Sequence, residues 1–187
     1  TMTVSTKGYV DVRRRIKLQS DGQEGFAQSI DEQMEEWSID SMYFENAENV
    51  YASLTTTSNI TNIDNEDSDI IYLNPIINGT FERNPFQSDR RVMPVDFPYG
   101  FSNKYVLEIE LPEGYSVDEL PKPAVFQLPG KAAQFQFSVT HLNNKISVIN
   151  NLKINKLFYS VEEYDGLKKF FELMISKQEE QIVIKKI

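Results

Sequence analysis

Cysteine is absent from the 187-residue sequence, and histidine occurs once, as His141. Without cysteine the chain has no disulfide, no thiolate metal ligand and no cysteine nucleophile. A single histidine does not supply a zinc site with several histidine ligands, and we do not expect a histidine-based triad. We therefore expect no catalytic residue, no metal site, no cofactor and no enzymatic activity in this chain by itself.

Positive charge is also scarce. The chain has 19 Lys and Arg against 28 Asp and Glu, a net charge of −9. Binding nucleic acid requires clustered basic residues that neutralise phosphates, and the basic runs here are short. We interpret the longest of them, Arg13-Arg14-Arg15, as a solvated face, and we expect no nucleic-acid partner.

Long apolar runs are missing as well. None approaches the ~20 residues of a membrane-spanning helix, so no membrane span is expected. Residues 1–5 lack the basic start and the apolar segment of a signal peptide. A chain that opens with Thr1 is expected to be a piece of a longer protein, so its N-terminus does not indicate a location.

Proline is confined to residues 75–129, where all eight prolines lie. Helices are therefore expected near the two ends of the chain, with short strands and turns between them. Residues 8–37 fit both a strand and a helix at first, and we favour a helix. Its second half has apolar residues at helical spacing among polar ones: Phe26, Ile30, Met34 and Trp37.

Strands are expected between Ile39 and Asn62, with a break near residues 46–49. The acidic run 64–69 is the expected linker. Carboxylates could hold calcium there, but the run lacks the glycine and the distal glutamate of an EF-hand loop. We favour a solvated loop.

The clearest pattern of a single strand in the second half runs from Tyr105 to Leu111, where apolar and charged residues alternate. It should stop at residues 112–114, because Pro112 presets φ and Gly114 accepts a positive φ.

A hairpin is predicted around Asn143-Asn144, because asparagine tolerates the positive φ of a two-residue turn. This turn places Phe135 opposite Leu152, Val139 opposite Val148 and His141 opposite Ile146. Only Phe137, opposite Asn150, breaks the apolar match. A slip of one residue would destroy the match, so the register is well specified. His141 is then a half-exposed strand residue near the hairpin tip.

The last part of the chain predicts a helix followed by a strand. Residues 160–163 have the pattern of a capping box, in which Ser160 and Glu163 satisfy each other's backbone donors. An apolar stripe at helical spacing follows: Tyr164, Leu167, Phe171 and Met174. The helix should end near Glu180, and residues 181–184 should form a closing strand.

Two stretches, 84–86 and 94–99, combine prolines with large rings. Such surfaces can hold sugars or peptides, so Phe86, Phe97 and Tyr99 form a candidate interaction surface. The alternative is that these rings fill the ends of a β-sandwich.

A hydrolase with paired carboxylates would need two acids about 5–10 Å apart, and no pattern in the sequence marks such a pair.

An ordered series of motifs runs through the second half of the chain: Ile71-Tyr72-Leu73-Asn74-Pro75, Asn84-Pro85-Phe86, Arg90-Arg91-Val92-Met93-Pro94-Val95-Asp96-Phe97, Leu111-Pro112-Glu113-Gly114-Tyr115, Glu119-Leu120-Pro121-Lys122-Pro123 and Gln181-Ile182-Val183-Ile184-Lys185-Lys186. On these motifs, residues 69–187 resemble the C-terminal domain of unknown function in Bacteroidetes-type transglutaminase-like envelope proteins. Residues 1–62 resemble the segment that joins this domain to the catalytic core.

The resemblance implies a context for the chain. In such proteins a papain-like core carries a Cys-His-Asp triad, and a chain without cysteine inherits none of those residues. The implied role is a non-catalytic accessory or interaction domain of a larger transglutaminase-like cysteine peptidase. Its partner would be the catalytic core of that protein, and its location the periplasm or cell envelope. The alternative is a glycan- or peptide-binding β-sandwich module of the envelope.

For the fold, we expect the α+β class: a mainly antiparallel β-sandwich with a helical N-terminal portion and one C-terminal amphipathic helix. Residues 1–62 are expected to form a connecting α/β segment, and residues 63–187 a β-sandwich-like C-terminal domain.

Overall fold

A computed structural model describes residues 1–34, 36–63, 68–77, 79 and 81–187. Within these residues the helices are α1 (Tyr9–Asp31) and α2 (Tyr164–Gln178). The strands in chain order are β1 (Met2–Gly8), β2 (Trp37–Glu45), β3 (Leu54–Asn62), β4 (Ile70–Leu73), β5 (Val95–Asp96), β6 (Phe101–Glu110), β7 (Tyr115–Glu119), β8 (Ala124–Gln127), β9 (Ala133–Leu142), β10 (Lys145–Ile154), β11 (Phe158–Tyr159) and β12 (Ile182–Lys186). The predicted α+β fold with mainly antiparallel strands is confirmed.

A seven-stranded antiparallel sheet organises the described residues, in the spatial order β2-β3-β1-β6-β10-β9-β8. The predicted hairpin of β9 and β10 lies between the central strand β6 and the edge strand β8. Phe135 faces Leu152, Val139 faces Val148 and His141 faces Ile146, as the sequence predicts. The turn residue Asn143 has a φ of 55°, so the predicted turn and register are both confirmed.

One face of the large sheet carries the core. Strand β6 shows the alternation clearly, because Tyr105, Leu107 and Ile109 are buried while Lys104 and Glu108 are exposed. A smaller sheet, in the order β4-β12-β7, and helix α2 add their own apolar residues to the same core cluster. Burial of this kind stabilises by roughly 25 cal/mol per Å² of apolar surface.

The N-terminal part follows the prediction at the start of its helix, at Tyr9, and differs from it at the end. The first residues form β1, a strand rich in β-branched residues that pairs with β3 and β6. Helix α1 ends at Asp31, so Trp37 begins strand β2 rather than closing the helix, as was expected. The helix is also kinked at Gly22, where φ is 69°. Helical spacing alone did not show that residues beyond Asp31 have strand partners, since Trp37 pairs with Asn62 of β3.

The C-terminal part follows the prediction with one correction. The stripe of Leu167, Phe171 and Met174 is buried as expected. The capping box forms only in half: the Glu163 carboxylate accepts the backbone N–H of Ser160 at 2.9 Å, but no side-chain hydrogen bond caps the helix. Residues 161–163 form a turn instead, and α2 begins at Tyr164.

Residues 1–62 and the rest of the chain share the large sheet. Strand β1 pairs with β6 over seven residue pairs, from Met2 with Leu107 to Gly8 with Phe101. The division into units at residues 62 and 63 stays a prediction, and residues 64–67 of the expected linker lie outside the described residues. No helix in the described part of the chain combines the length and apolar character that crossing a membrane requires.

Candidate functional site

Residues 84–97, called here the Val92 loop, are anchored to helix α2 through their first residues. The Phe86 ring is buried and lies edge-on to Phe171, with 5.1 Å between ring centroids, and to Tyr164, at 6.1 Å. The Asn84 side-chain amide donates to the backbone carbonyl of Lys168 at 3.0 Å. An aromatic anchor and a hydrogen bond therefore fix the start of the loop on the helix.

The middle of the Val92 loop has further contacts with the same helix. The Tyr164 hydroxyl donates to the Ser88 carbonyl at 2.8 Å. Lys168 forms an ion pair with Asp89 at 3.1 Å, and the Arg91 guanidinium lies 5.7 Å from the Tyr164 ring centroid. These contacts hold the backbone up to residue 91.

The end of the loop is fixed by strand pairing. Val95 pairs with Tyr159 in the two-stranded sheet of β5 and β11, and the Phe97 N–H donates to the Leu157 carbonyl at 2.7 Å. Both ends of the loop are therefore tied to the domain.

Two apolar side chains at the tip of this anchored loop point away from the core. Val92 is 95% exposed and Met93 is 69% exposed, and Arg90 and Arg91 precede them. Exposed apolar residues are common on protein surfaces, and only larger contiguous patches mark interaction sites by area alone. Val92 and Met93 are a candidate contact because the loop that carries them is anchored on α2. The sequence motif contained these residues, but sequence alone did not show that Val92 and Met93 are exposed while Phe86 is buried.

The three residues of the expected interaction surface occupy different environments. Phe86 is 6% exposed and belongs to the core. Phe97 is half-buried between Phe86 and Tyr159, at centroid distances of 6.2 and 5.8 Å. Tyr99 is half-buried and stacks on Tyr9 at 4.0 Å. The structure does not arrange these rings as one exposed platform, and their role in binding stays a prediction.

Residues 69–184, which include the Val92 loop and helix α2, match the model of family DUF3858, described as a domain of unknown function with a solved structure. The chain belongs to the DUF3858 family. No curated protein matches it. A crystal structure described as that of a "putative protease" from Parabacteroides distasonis ATCC 8503 is similar over 52% of this chain and 19% of its own, with 14% identity and a TM-score of 0.46.

A basic cluster on α1 lies outside the matched DUF3858 residues. Of the run Arg13-Arg14-Arg15, only Arg13 is exposed, so the interpretation of the run as a solvated face is wrong for the other two. Successive helical residues point about 100° apart, which turns some of them inward. Arg15 pairs with the buried Asp11 at 2.7 Å and donates to the carbonyls of residues 46, 47 and 52.

A cavity of about 650 Å³ lies between the large sheet and the small sheet of this DUF3858 member. Its apolar lining includes Trp37, Leu73 and Ile109, and the acids Glu108 and Glu110 lie at its edge. Both acids are exposed, whereas a general acid in a hydrolase is normally desolvated to raise its pKa. The cavity therefore does not have the acid environment that the hydrolase hypothesis requires.

His141 is exposed near the tip of the hairpin, in the place that the sequence predicts. Across the described residues, no group of three or more His, Asp or Glu side chains could hold a metal ion. The acidic run that was considered for calcium falls mostly on residues 64–67, outside the described part of the chain.

Proposed function

We propose that this chain is a non-catalytic accessory domain of a larger transglutaminase-like protein, and that it docks on the catalytic core of that protein through the Val92 loop. The observation that carries the proposal is the anchored loop with the apolar tip of Val92 and Met93. The resemblance of the motif series to such proteins supports the choice of partner.

The physical argument concerns the entropy of binding. Ordering a mobile loop and its side chains opposes association, and a loop already fixed on α2 avoids most of that cost. Burying Val92 and Met93 removes apolar surface from water. Arg90 and Arg91 beside them supply charged groups of a type that is enriched at interfaces, in a chain whose net charge is −9. Acidic side chains are therefore expected on the facing surface of the core.

The parent protein is proposed to be a cysteine peptidase of the periplasm or cell envelope. This part of the proposal rests on the resemblance, which implies a papain-like core with its own triad. The accessory domain would position the core or shape the access of substrate to it.

The test is a binding measurement between this chain and the separately expressed catalytic core of the parent protein. The double variant Val92→Ser/Met93→Ser should weaken binding about tenfold or more, since hot-spot residues carry most of the energy at an interface. Its circular dichroism spectrum and melting temperature should stay close to those of the wild type, because both side chains are exposed.

The matched control is Val50→Ser/Tyr51→Ser, which removes another exposed apolar pair, 68% and 99% exposed, from a different loop. This control should bind like the wild type. Equal binding by the Val92 variant and the wild type, or no binding of the core by the wild type, would overturn the proposal.

A further inference from the structure

A second cavity, independent of the Val92 loop, lies between helix α1 and the inner face of the large sheet. Its volume is about 700 Å³, within the range of small-molecule sites. Much of its wall is apolar, from residues of β1 and α1: Met2, Val4, Val10, Ile16, Phe26 and Ile30. Ile16 is 61% exposed, so the apolar wall reaches the protein surface.

Arg14 extends into this cavity, and its hydrogen-bond acceptors among the described residues are all neutral. Its guanidinium donates to the Thr56 hydroxyl at 2.6 Å, to the Thr6 hydroxyl at 3.2 Å and to the Val4 carbonyl at 3.4 Å. It also lies 5.7 Å from the centroid of the Phe26 ring. Within the described residues, no carboxylate forms an ion pair with Arg14.

The nearest acid is committed to other donors. One carboxylate oxygen of Asp11 accepts from the Thr6 hydroxyl at 3.1 Å and from the Leu54 N–H at 2.8 Å. Its second oxygen accepts from Arg15 at 2.7 Å. Asp11 therefore neutralises the charge of Arg15 through a direct ion pair. Its effect on Arg14 is a longer-range electrostatic one, without a hydrogen bond.

This arrangement leaves a partly desolvated positive charge. Burial lowers the pKa of Arg14 to about 10, with Asp11 opposing the shift, so the guanidinium stays charged at neutral pH. A buried charge without an opposite partner is unfavourable. The other charged residues of the lining are Arg13, Lys17 and Asp21, and Asp21 pairs with Lys17 at 2.8 Å. The described residues of the lining therefore carry a net positive charge in an acidic protein.

We propose that this cavity binds an organic carboxylate on an apolar chain, with the carboxylate on Arg14 and the chain along Val4, Phe26 and Ile30. The planar guanidinium fork matches a carboxylate. Arg14 is partly buried, whereas Arg13 and Lys17 of the lining are exposed to solvent. A single partly buried cation beside an apolar wall fits a monoanion with a hydrocarbon tail better than a phosphate dianion, which would need more charge and more donors at its three free oxygens. No covalent step is involved.

The first experiment titrates the full chain with sodium octanoate by calorimetry, with 1-octanol and inorganic phosphate as comparison probes. Octanoate should bind saturably and raise the melting temperature, since a ligand of the folded state stabilises it. Octanol lacks the charge and phosphate lacks the tail, so both should bind at least about tenfold more weakly. An acetylated leucine probe tests whether the carboxylate at a peptide C-terminus is accepted as well as a free acid. Absence of octanoate and acetyl-leucine binding would overturn the proposal.

The variant Arg14→Met removes the charge and keeps a long apolar side chain. It should reduce octanoate affinity about tenfold or more. The control Lys153→Met removes an exposed cation that lies outside the cavity lining and should change the affinity little. A second variant, Val10→Phe, narrows the cavity and leaves Arg14 in place, which keeps the test available if Arg14→Met does not fold. It should also weaken octanoate binding. Wild-type affinity in a folded Arg14→Met or Val10→Phe protein would contradict the assignment of the cavity.

Discussion

The ring of Phe86 meets the ring of Phe171 edge-on, with 5.1 Å between their centroids. This contact joins the Val92 loop to the helix that lies on the core. Phe171 itself is fully buried and also contacts Phe81 and Phe170, at 5.2 and 5.6 Å. The loop and the core are thus stabilised by the same side chain.

Replacing Phe171 with alanine should lower the free energy of unfolding by about 3–5 kcal/mol, because a large buried ring is removed and a cavity is left. The matched control is Leu173→Ala, on the outer side of the same helix and 38% exposed, which should cost about 1 kcal/mol or less. Urea denaturation of both variants measures the difference. A loss below about 1 kcal/mol for Phe171→Ala would mean that the ring is not a core residue.

Gly8 joins β1 to α1 with a φ of 74° and a ψ of −145°, a backbone conformation that residues other than glycine rarely adopt. A Cβ atom there would overlap the carbonyl oxygen of Gly100. Gly22 has a similar backbone, but a Cβ atom at that position meets nothing within 4 Å. Gly8→Ala should therefore destabilise more than Gly22→Ala, by about 1–3 kcal/mol for the added overlap. An equal loss of unfolding free energy for the two variants, in thermal or urea unfolding, would show that the nearby carbonyl oxygen of Gly100 does not restrict residue 8.

Removal of residues 1–67 should destabilise the family domain. Strand β1 covers one edge of β6 over seven residue pairs. Its loss would expose that edge and the buried residues Leu107 and Tyr105, which lie beside Met2 and Val4 in the sheet. A chain of residues 68–187 should show a lower melting temperature and a tendency to aggregate. Cooperative unfolding at the melting temperature of the full chain would show instead that residues 68–187 form an independent unit.

The sequence predicted best where a local rule and a burial pattern agree. The Asn143-Asn144 turn and the apolar matching of β9 and β10 point to one register, and the structure has that register. The stripe of α2 was equally clear, because Leu167, Phe171 and Met174 all face the core.

Contacts between residues far apart in the sequence were harder to predict. The role of β1 depends on partners more than 50 residues away, at Ser58 and Leu107. Arg14 belonged to a basic run whose inward members depend on the path of α1 over the sheet. The exposure of Val92 and Met93 depends on where Phe86 docks. Each of these features is a tertiary arrangement that a local pattern does not encode.

Because of Tyr159, the free energy of unfolding should depend on pH in the alkaline range. Its buried phenol donates to the Ala132 carbonyl at 3.1 Å, and burial, followed by the charge of Glu163, raises its pKa to about 12. The folded state therefore keeps this proton where the unfolded state, at its ordinary pKa of 10.0, loses it. The resulting stabilisation is complete below pH 10 and is lost as the pH rises towards 12.

Tyr159→Phe should be less stable at neutral pH by about 1 kcal/mol, for the lost hydrogen bond. Its stability should also fall less steeply than that of the wild type above pH 10. Burial also raises the pKa of Tyr105, but Tyr105 is present in both proteins. The difference between the two pH dependences therefore reports on Tyr159. Urea denaturation at several alkaline pH values measures both slopes, and parallel slopes would refute the assignment.

The proposed docking of the Val92 loop on the catalytic core is tested most directly by the oxidation rate of Met93. Met93 is 69% exposed in this chain, whereas Met174 is 1% exposed and serves as the buried reference. Peroxide oxidises accessible methionine to the sulfoxide, and mass spectrometry of peptides from the isolated chain and from the intact parent protein compares the two rates. The account predicts rapid oxidation of Met93 in the isolated chain and at least roughly fivefold protection in the parent protein. An equal rate for Met93 in both proteins would contradict it.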